Sequence, residues 1–354
     1  MKRWFTVLTL MFALSFPLGA FAFDTDAVRA IQAVRPDLRA AFDENGVAIA
    51  GTAAGFLIDI YDWAEQYGWR EHTELASYAP ESIYVPERVA GALEPEVTAS
   101  SYIILDKNSG QILAARGADT VWPIASLTKL VTADVVLDSG VAMDKIWSVL
   151  DADDVGGAKL YVANDTDFTI EDLFYSTLVA SANNAANALS RAAGLDQFGF
   201  LSAMNRRPFD LGLAYTQFVD PTGIELGNVS TAREMARLAG YVFARDEVRR
   251  YTTTAIKYID VLTDGTTKRL KNTNWMLYYP EYEDVYVTAG KTGYLNESGW
   301  NLAVQLRPSA NDTDRELLMI VFGAASRAES FADAKRLADW TWQSHRWQAN
   351  PLMQ

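Results

Sequence analysis

The residues best equipped to do chemistry together lie in three short runs. The first is Ser126-Leu127-Thr128-Lys129. Pro123 just ahead of it favours a turn or the first residues of a helix, and an apolar run over 127–137 follows. On a helix, residues three apart share one face. An amine then lies beside a hydroxyl, which is the pair needed to make a serine nucleophilic. The second run is Ala180-Ser181-Ala182-Asn183-Asn184, between two helical patterns. Taken alone it reads as a helix N-cap, by Ser181 or Asn183. The third is Gly290-Lys291-Thr292-Gly293-Tyr294, near the end of a strand pattern, and alone it reads as a strand-end turn. A lone Ser-x-x-Lys recurs by chance. The three runs in this order, on a helix start, an inter-helix loop and a strand, are a specific constellation.

The elements that must hold these runs follow from periodicity. A strand over 101–105, a turn at Asn108-Ser109-Gly110 and a return strand over 111–115 make a hairpin. From about 127 to 250 the pattern is helical. Thr169 with Asp172, and Thr231 with Glu234, mark helix starts, while Gly194 and Gly212 mark stops. Strands resume at 255–262 and 267–271 around Asp264-Gly265, then at 285–294, 300–306 and 316–322. A terminal helix is expected over 330–348. This order predicts an α/β chain of the α+β kind. An antiparallel sheet, whose early and late strands meet, is flanked by helices, with an all-helical lobe beside it. Residues 23–98 read as a separate small helical segment. Asp24 and Asp26 cap its start, a later helix carries Phe56, Ile60, Trp63 and Tyr67 on one packing face, and Pro80, Pro86 and Pro95 mark a linker. The main domain is expected over 99–354.

Composition bounds the setting. Lys2 and Arg3, an apolar run over 4–18 and Ala20-Phe21-Ala22 form a targeting segment, with cleavage expected after residue 22. An uncleaved membrane anchor is the alternative, because the apolar run is nearly long enough to span. Either way the chain is expected to be exported, to the periplasm or the cell-wall exterior. The net charge of −14 becomes more negative once Lys2 and Arg3 are lost. Such a surface argues against nucleic acid and anionic membranes as partners. The chain has no cysteine, so it lacks thiol nucleophiles and disulfides, and its 49% hydrophobic content must supply stability through the core. With only two histidines, His72 and His345, neither near a nucleophile-elbow sequence, a histidine-rich metal site is not expected. No cofactor is implied.

Over about residues 99–347 the chain resembles the serine-type D-alanyl-D-alanine carboxypeptidases, low-molecular-mass penicillin-binding proteins related to serine β-lactamases. Beyond the three motifs the resemblance includes Phe218-Val219-Asp220-Pro221-Thr222-Gly223, Ser230-Thr231-Ala232-Arg233-Glu234, Asn272-Thr273-Asn274 and 291–299. It implies the β-lactamase/transpeptidase-like fold and no metal. Ser126 would attack the bond between two D-alanines at the end of a peptidoglycan stem peptide, with Lys129 as its base. Ser181 would relay a proton, Asn183 would hold the substrate and Lys129, Lys291 and Thr292 would receive the terminal carboxylate, and Gly293 would let the substrate approach the strand edge closely. The resemblance also implies an oxyanion hole from the Ser126 and Tyr294 backbone N–H groups, and β-lactam antibiotics as covalent inhibitors. An arginine before the last helix often assists with that carboxylate in relatives. Here the candidate is Arg327, although spacing from Trp340 would put the position at Ser330. Many relatives carry a β-rich C-terminal domain and an amphipathic tail, and neither is expected before Gln354, so no C-terminal membrane anchor is expected.

Three other functions compete. An endopeptidase cutting peptidoglycan cross-links would use the same residues. A β-lactamase needs a glutamate-activated water, and Glu225-Leu226-Gly227-Asn228 superficially resembles the stretch used for that. It is read instead as a loop before the Thr231 helix. A non-catalytic wall-binding protein would be favoured by loss of any motif, and all three are intact.

Overall fold

The computed structural model describes residues 85–89 and 93–347. The expected targeting segment, most of the expected segment over 23–98, and His72 lie outside them. The described elements, in order, are β1 (Glu87–Arg88), β2 (Ser101–Asp106), β3 (Ile112–Arg116), β4 (Trp122–Pro123), α1 (Lys129–Asp138), β5 (Ile146–Val149) and β6 (Thr166–Thr169). Next come α2 (Ile170–Leu178), α3 (Asn183–Ala192), α4 (Gln197–Asp210), β7 (Val229–Ser230), α5 (Ala232–Phe243), α6 (Asp246–Thr252), β8 (Ile256–Asp260) and β9 (Thr267–Lys271). The last are β10 (Tyr286–Leu295), β11 (Gly299–Arg307), β12 (Leu317–Ala324), α7 (Arg327–Ser344) and β13 (His345–Arg346).

The main sheet is antiparallel, in the order β10-β11-β12-β2-β3. The early hairpin and the late strands join where Leu317 pairs with Asp106 and Phe322 with Ser101. The β2–β3 turn closes because the Asp106 carboxylate accepts from the Ser109 backbone at 2.7 Å and the Ser109 hydroxyl at 2.6 Å. Both faces of the sheet are buried. Ile103, Ile320 and Phe322 point into the core shared with α1, α2, α3 and α5. Their neighbours Tyr102, Ile104, Met319 and Val321 point to the other face, against Phe331, Leu337 and Trp340 of α7. Side chains alternate along a strand, so two buried faces require an almost continuous apolar run, as in Leu317–Phe322. Two helices start at the expected caps Thr169 and Thr231 and a third at Ser326; each cap accepts a backbone N–H three residues on, at 3.1 Å.

Some expectations shift. The helical lobe includes a hairpin, Ile146–Val149 paired with Thr166–Thr169. Its strands have four residues each and no tight turn joins them, so no local signal marked it. Pro123 belongs to a two-residue strand that pairs with Val229–Ser230 and precedes the turn that holds Ser126. The terminal helix runs from Arg327, capped by Ser326, and stops at Ser344, because His345 and Arg346 pair with Arg88 and Glu87. The expected boundary at residue 98 falls inside this packing: the Thr98 hydroxyl and the Ala99 N–H both donate to Asp333, at 2.8 and 2.9 Å.

Candidate active site

Ser126 sits in a 3-10 turn, Ala125–Thr128, that runs directly into α1 at Lys129. Ala125 is held in the left-handed region, at φ +50°, a conformation that costs a non-glycine residue about 1–3 kcal/mol. The turn is held from outside. Gly223, at φ +82°, lies so close that a Cβ there would come within 2.0 Å of the Ala125 carbonyl oxygen. Gly293 of β10 is similarly tight, with a Cβ position 2.8 Å from Ile124 O and 3.2 Å from Ser126 N. The glycine of Lys-Thr-Gly therefore seats the strand against the turn that holds Ser126. Gly223→Ala is expected to displace that turn and slow acylation of Ser126 on the order of 10²-fold. Stopped-flow with a fluorescent penicillin would measure it, and a near-wild-type rate would contradict the contact.

Lys129 is fully buried. Its Nζ lies 2.8 Å from Ser126 Oγ, 2.6 Å from Asn183 Oδ1 and 2.6 Å from Thr222 O. The Asn183 orientation is set by its amide nitrogen, which donates to Gly156 O at 2.7 Å. Asn183 Oδ1 and Thr222 O can only accept. A neutral amine has two N–H bonds for them and one lone pair left for the Ser126 hydroxyl proton. Burial pushes Lys129 down to about 7, against the opposing charge of Asp220. At neutral pH a large share of the amine is therefore in the form that can take a proton.

A second hydroxyl–amine pair faces the first. Lys291 is also buried, and its Nζ donates to Ser181 Oγ at 2.8 Å and to Thr292 O at 2.8 Å. Burial, then the charges of Lys129 and Arg327, hold it well below its ordinary range. Ser181 is not a helix cap. The cap residue of α3 is Ala182, with no side-chain bond, and Ser181 stands at φ +60° ahead of it. That strained backbone leaves its hydroxyl for Lys291.

Beyond Lys291, the Thr292 hydroxyl donates to Thr273 Oγ1 at 2.7 Å, and Arg327 Nη2 donates to Thr273 O at 2.8 Å. Arg327 therefore reaches the site from the first turn of α7. Its guanidinium lies 4.8 Å from the Trp275 ring centroid and 5.8 Å from that of Trp300. Its Nε is buried without a protein partner. The alternative position, Ser330, is buried and donates to Arg327 O. Tyr294 is exposed and stacks on Trp300 at 4.2 Å.

All nine expected site residues thus fall in one neighbourhood on the turn, α1, the 181–183 segment, β10 and α7. Thr222, Thr273, Trp275 and Trp300 were not expected as site residues. Thr222 contributes through its backbone oxygen, and Thr273 through its backbone oxygen as well as its hydroxyl; backbone contributions are ones that side-chain chemistry does not advertise. Glu225 is exposed and takes part through its backbone, as a donor to Asp220 Oδ2 and an acceptor from Asn228. His345 is buried at the far end of α7, against Thr341 O and Ser344. Among the described residues no cluster of His, Cys, Asp and Glu could hold a metal, and no helix is long and apolar enough to cross a membrane.

Residues 88–326 match the D-alanyl-D-alanine carboxypeptidase family, Peptidase_S11. A D-alanyl-D-alanine endopeptidase of Pseudomonas aeruginosa is 32% identical over 257 residues, 72% of this chain and 81% of the relative. The D-alanyl-D-alanine carboxypeptidase DacF of Bacillus subtilis is 28% identical, over 72% of this chain and 64% of the relative. Among solved structures, a Listeria monocytogenes penicillin-binding protein in its cefotaxime-bound form superposes with a TM-score of 0.61 at 25% identity, covering 71% of this chain and 99% of that one. A Streptomyces DD-transpeptidase shares the fold, with a TM-score of 0.63 at 24% identity over 71% and 99% of the two chains. The chain belongs to the D-alanyl-D-alanine carboxypeptidase family, and it is a serine peptidase with the penicillin-binding fold.

Proposed function

We propose that the protein removes the terminal D-alanine from peptidoglycan stem peptides through an acyl-enzyme on Ser126. The observation that carries this is the 2.8 Å contact between Ser126 Oγ and a buried amine that titrates near neutrality. Neutral Lys129 takes the hydroxyl proton as Oγ adds to the carbonyl between the two D-alanines. The Ser126 and Tyr294 N–H groups receive the oxyanion. The C–N bond then breaks, the leaving amine gains a proton through Ser181, and water hydrolyses the ester. Asn183 holds both Lys129 and the substrate's backbone amide. Lys291, Thr292 and Arg327 receive the terminal carboxylate, and the partnerless Arg327 Nε is an available donor for it.

The two amines are coupled through this carboxylate. An incoming anion favours the protonated form of Lys291, and the resulting charge favours the neutral form of Lys129. Substrate binding thereby readies the base. Replacing Lys291 with alanine is accordingly expected to cost a carboxylate-terminated peptide at least about 2 kcal/mol more in kcat/KM than its amidated analogue. Equal losses on the two peptides would make Lys291 a general electrostatic contributor instead.

Cleavage of cross-links between stem peptides is a second reading, favoured because the first three curated relatives are named D-alanyl-D-alanine endopeptidases, at 29–34% identity. Incubating the purified protein with a pentapeptide and with a cross-linked dimer separates the two. Release of D-alanine from the pentapeptide is expected. Cleavage of the dimer alone would replace the first reading with the second, and cleavage of neither would sink both. β-Lactams are proposed to acylate Ser126, export is inferred from residues 1–22, and residues 23–98 are proposed to contribute nothing to the chemistry.

A further inference from the structure

The turn over 220–225 is built around one carboxylate. Asp220 Oδ1 accepts from Thr222 N at 2.6 Å, from the Thr222 hydroxyl at 2.5 Å and from Gly223 N at 2.9 Å. Its Oδ2 accepts from Glu225 N at 3.0 Å and from the Asn228 amide. Asn228 is fully buried and accepts in turn from Val219 N at 3.1 Å. The Thr132 hydroxyl, one turn along α1 from Lys129, donates to Pro221 O at 2.6 Å and ties this turn to the helix. The tightly held turn delivers two things to the reacting centre. One is the Thr222 carbonyl, 2.6 Å from Lys129 Nζ. The other is Gly223, in close contact with the Ala125 carbonyl beside the nucleophile. All five groups on Asp220 are donors, so only an acceptor-only side chain satisfies them.

We propose that Asp220 is a positioning residue for the base: its carboxylate braces the 220–225 turn so that the Thr222 carbonyl holds the Lys129 amine on Ser126. This rests on the reading of Lys129 as the group that activates the serine. The charge has a separate consequence. Despite the opposing effect of partial burial, hydrogen bonds from Thr222, Glu225 and Asn228 keep Asp220 below the ordinary carboxylate range, so it is ionised at neutral pH. A groove of about 660 Å³, lined by Asp220, Thr222 and Glu225, lets solvent reach it. The charged groups that face the Lys129 amine are Asp220 from this turn and Lys291 from β10. Asp220 favours the protonated amine and Lys291 disfavours it. Removing the Asp220 charge therefore lets Lys129 lose its proton at lower pH.

The test is the pH dependence of acylation by a penicillin, measured on the full chain and on Asp220→Asn, with melting temperatures taken in parallel. Asparagine would turn an NH₂ group toward Glu225 N or Asn228 and loosen the brace. Expected are a plateau rate lower on the order of 10²-fold and an acid limb displaced to lower pH. Asp220→Glu, which keeps the charge, is expected to return the limb toward its original position. An unmoved limb in Asp220→Asn, with activity following only the folded fraction, would overturn the proposal. If Asp220→Asn does not fold, Thr222→Val removes one strut while keeping both the charge and the carbonyl. It is expected to lower kcat several-fold with the limb in place, and an unchanged rate would overturn the brace. The underlying reading fails differently: Lys129→Ala would then keep the wild-type acid limb.

Discussion

Intact Ser126 is expected to retain penicillin as a lasting adduct, and Ser126→Ala to retain none. A β-lactam presents a carboxylate beside a strained amide, so it matches the carboxylate-receiving end proposed at Lys291, Thr292 and Arg327 and the hydroxyl at Ser126. Ring opening leaves the drug esterified to Oγ. In a peptide the leaving D-alanine diffuses away and water can enter, whereas the opened β-lactam keeps its leaving amine tethered over the ester. Rapid deacylation would need a base dedicated to water. Glu225 is the one sequence candidate, yet its backbone is bound into the Asp220 turn and its side chain is exposed. Intact-protein mass spectrometry should record one added drug mass per chain, mapping to the peptide that holds Ser126. Fast catalytic turnover of the drug would return the β-lactamase reading, with Glu225 the first residue to replace. An adduct on another serine would sink the site assignment.

The candidate site was legible because the groups proposed to react are side chains in short runs. Ser126 and Lys129 are three apart across the joint between a 3-10 turn and α1, and they meet as helical spacing predicts. Lys291 and Ser181 are 110 residues apart, and nothing local pairs them. Only the order of the three motifs, through their resemblance to a family, placed them together. What sequence could not convey is backbone work. Thr222 serves through its carbonyl, Ala125 and Ser181 through left-handed φ, and Gly223 through the absence of a Cβ. These depend on contacts across the lobe that no periodicity encodes.

The fold followed the same division. Of the long strands, β12 announced itself as an apolar run and β10 and β11 as alternating or buried stretches, and caps at Thr169 and Thr231 marked their helices. The four-residue hairpin of β5 and β6 did not, because its partners are joined by a long connection and its stability comes from tertiary packing. Arg327 was the weakest expectation, since helix spacing pointed to Ser330. The outcome turned on the helix starting three residues earlier, at the Ser326 cap, which carries Arg327 to Thr273 and the two indoles.

Replacing Lys129 with alanine is expected to slow acylation of Ser126 by ~10²–10⁴-fold, the usual range for loss of a positioned general base. Among the described residues no other amine is bonded to Ser126 Oγ. Lys291 is bonded to Ser181 Oγ and Thr292 O, and it reaches Ser126 only by giving those up. The sign of the pH dependence follows from burial. Lys129 loses its proton near 7, so the wild-type rate should rise as pH increases through that value and level off above it. In Lys129→Ala the residual rate should lose that limb. The same titration acts on stability: unfolded, the amine titrates near its ordinary 10.5 and binds more protons between the two values, so this group favours the folded state more as pH rises from about 7 toward 10.5. Stopped-flow acylation from pH 5 to 9, with a melting curve at each pH, measures both effects. If Lys129→Ala kept the limb while Lys291→Ala lost it, the Ser181–Lys291 pair would be the base, and the two dyads would exchange roles.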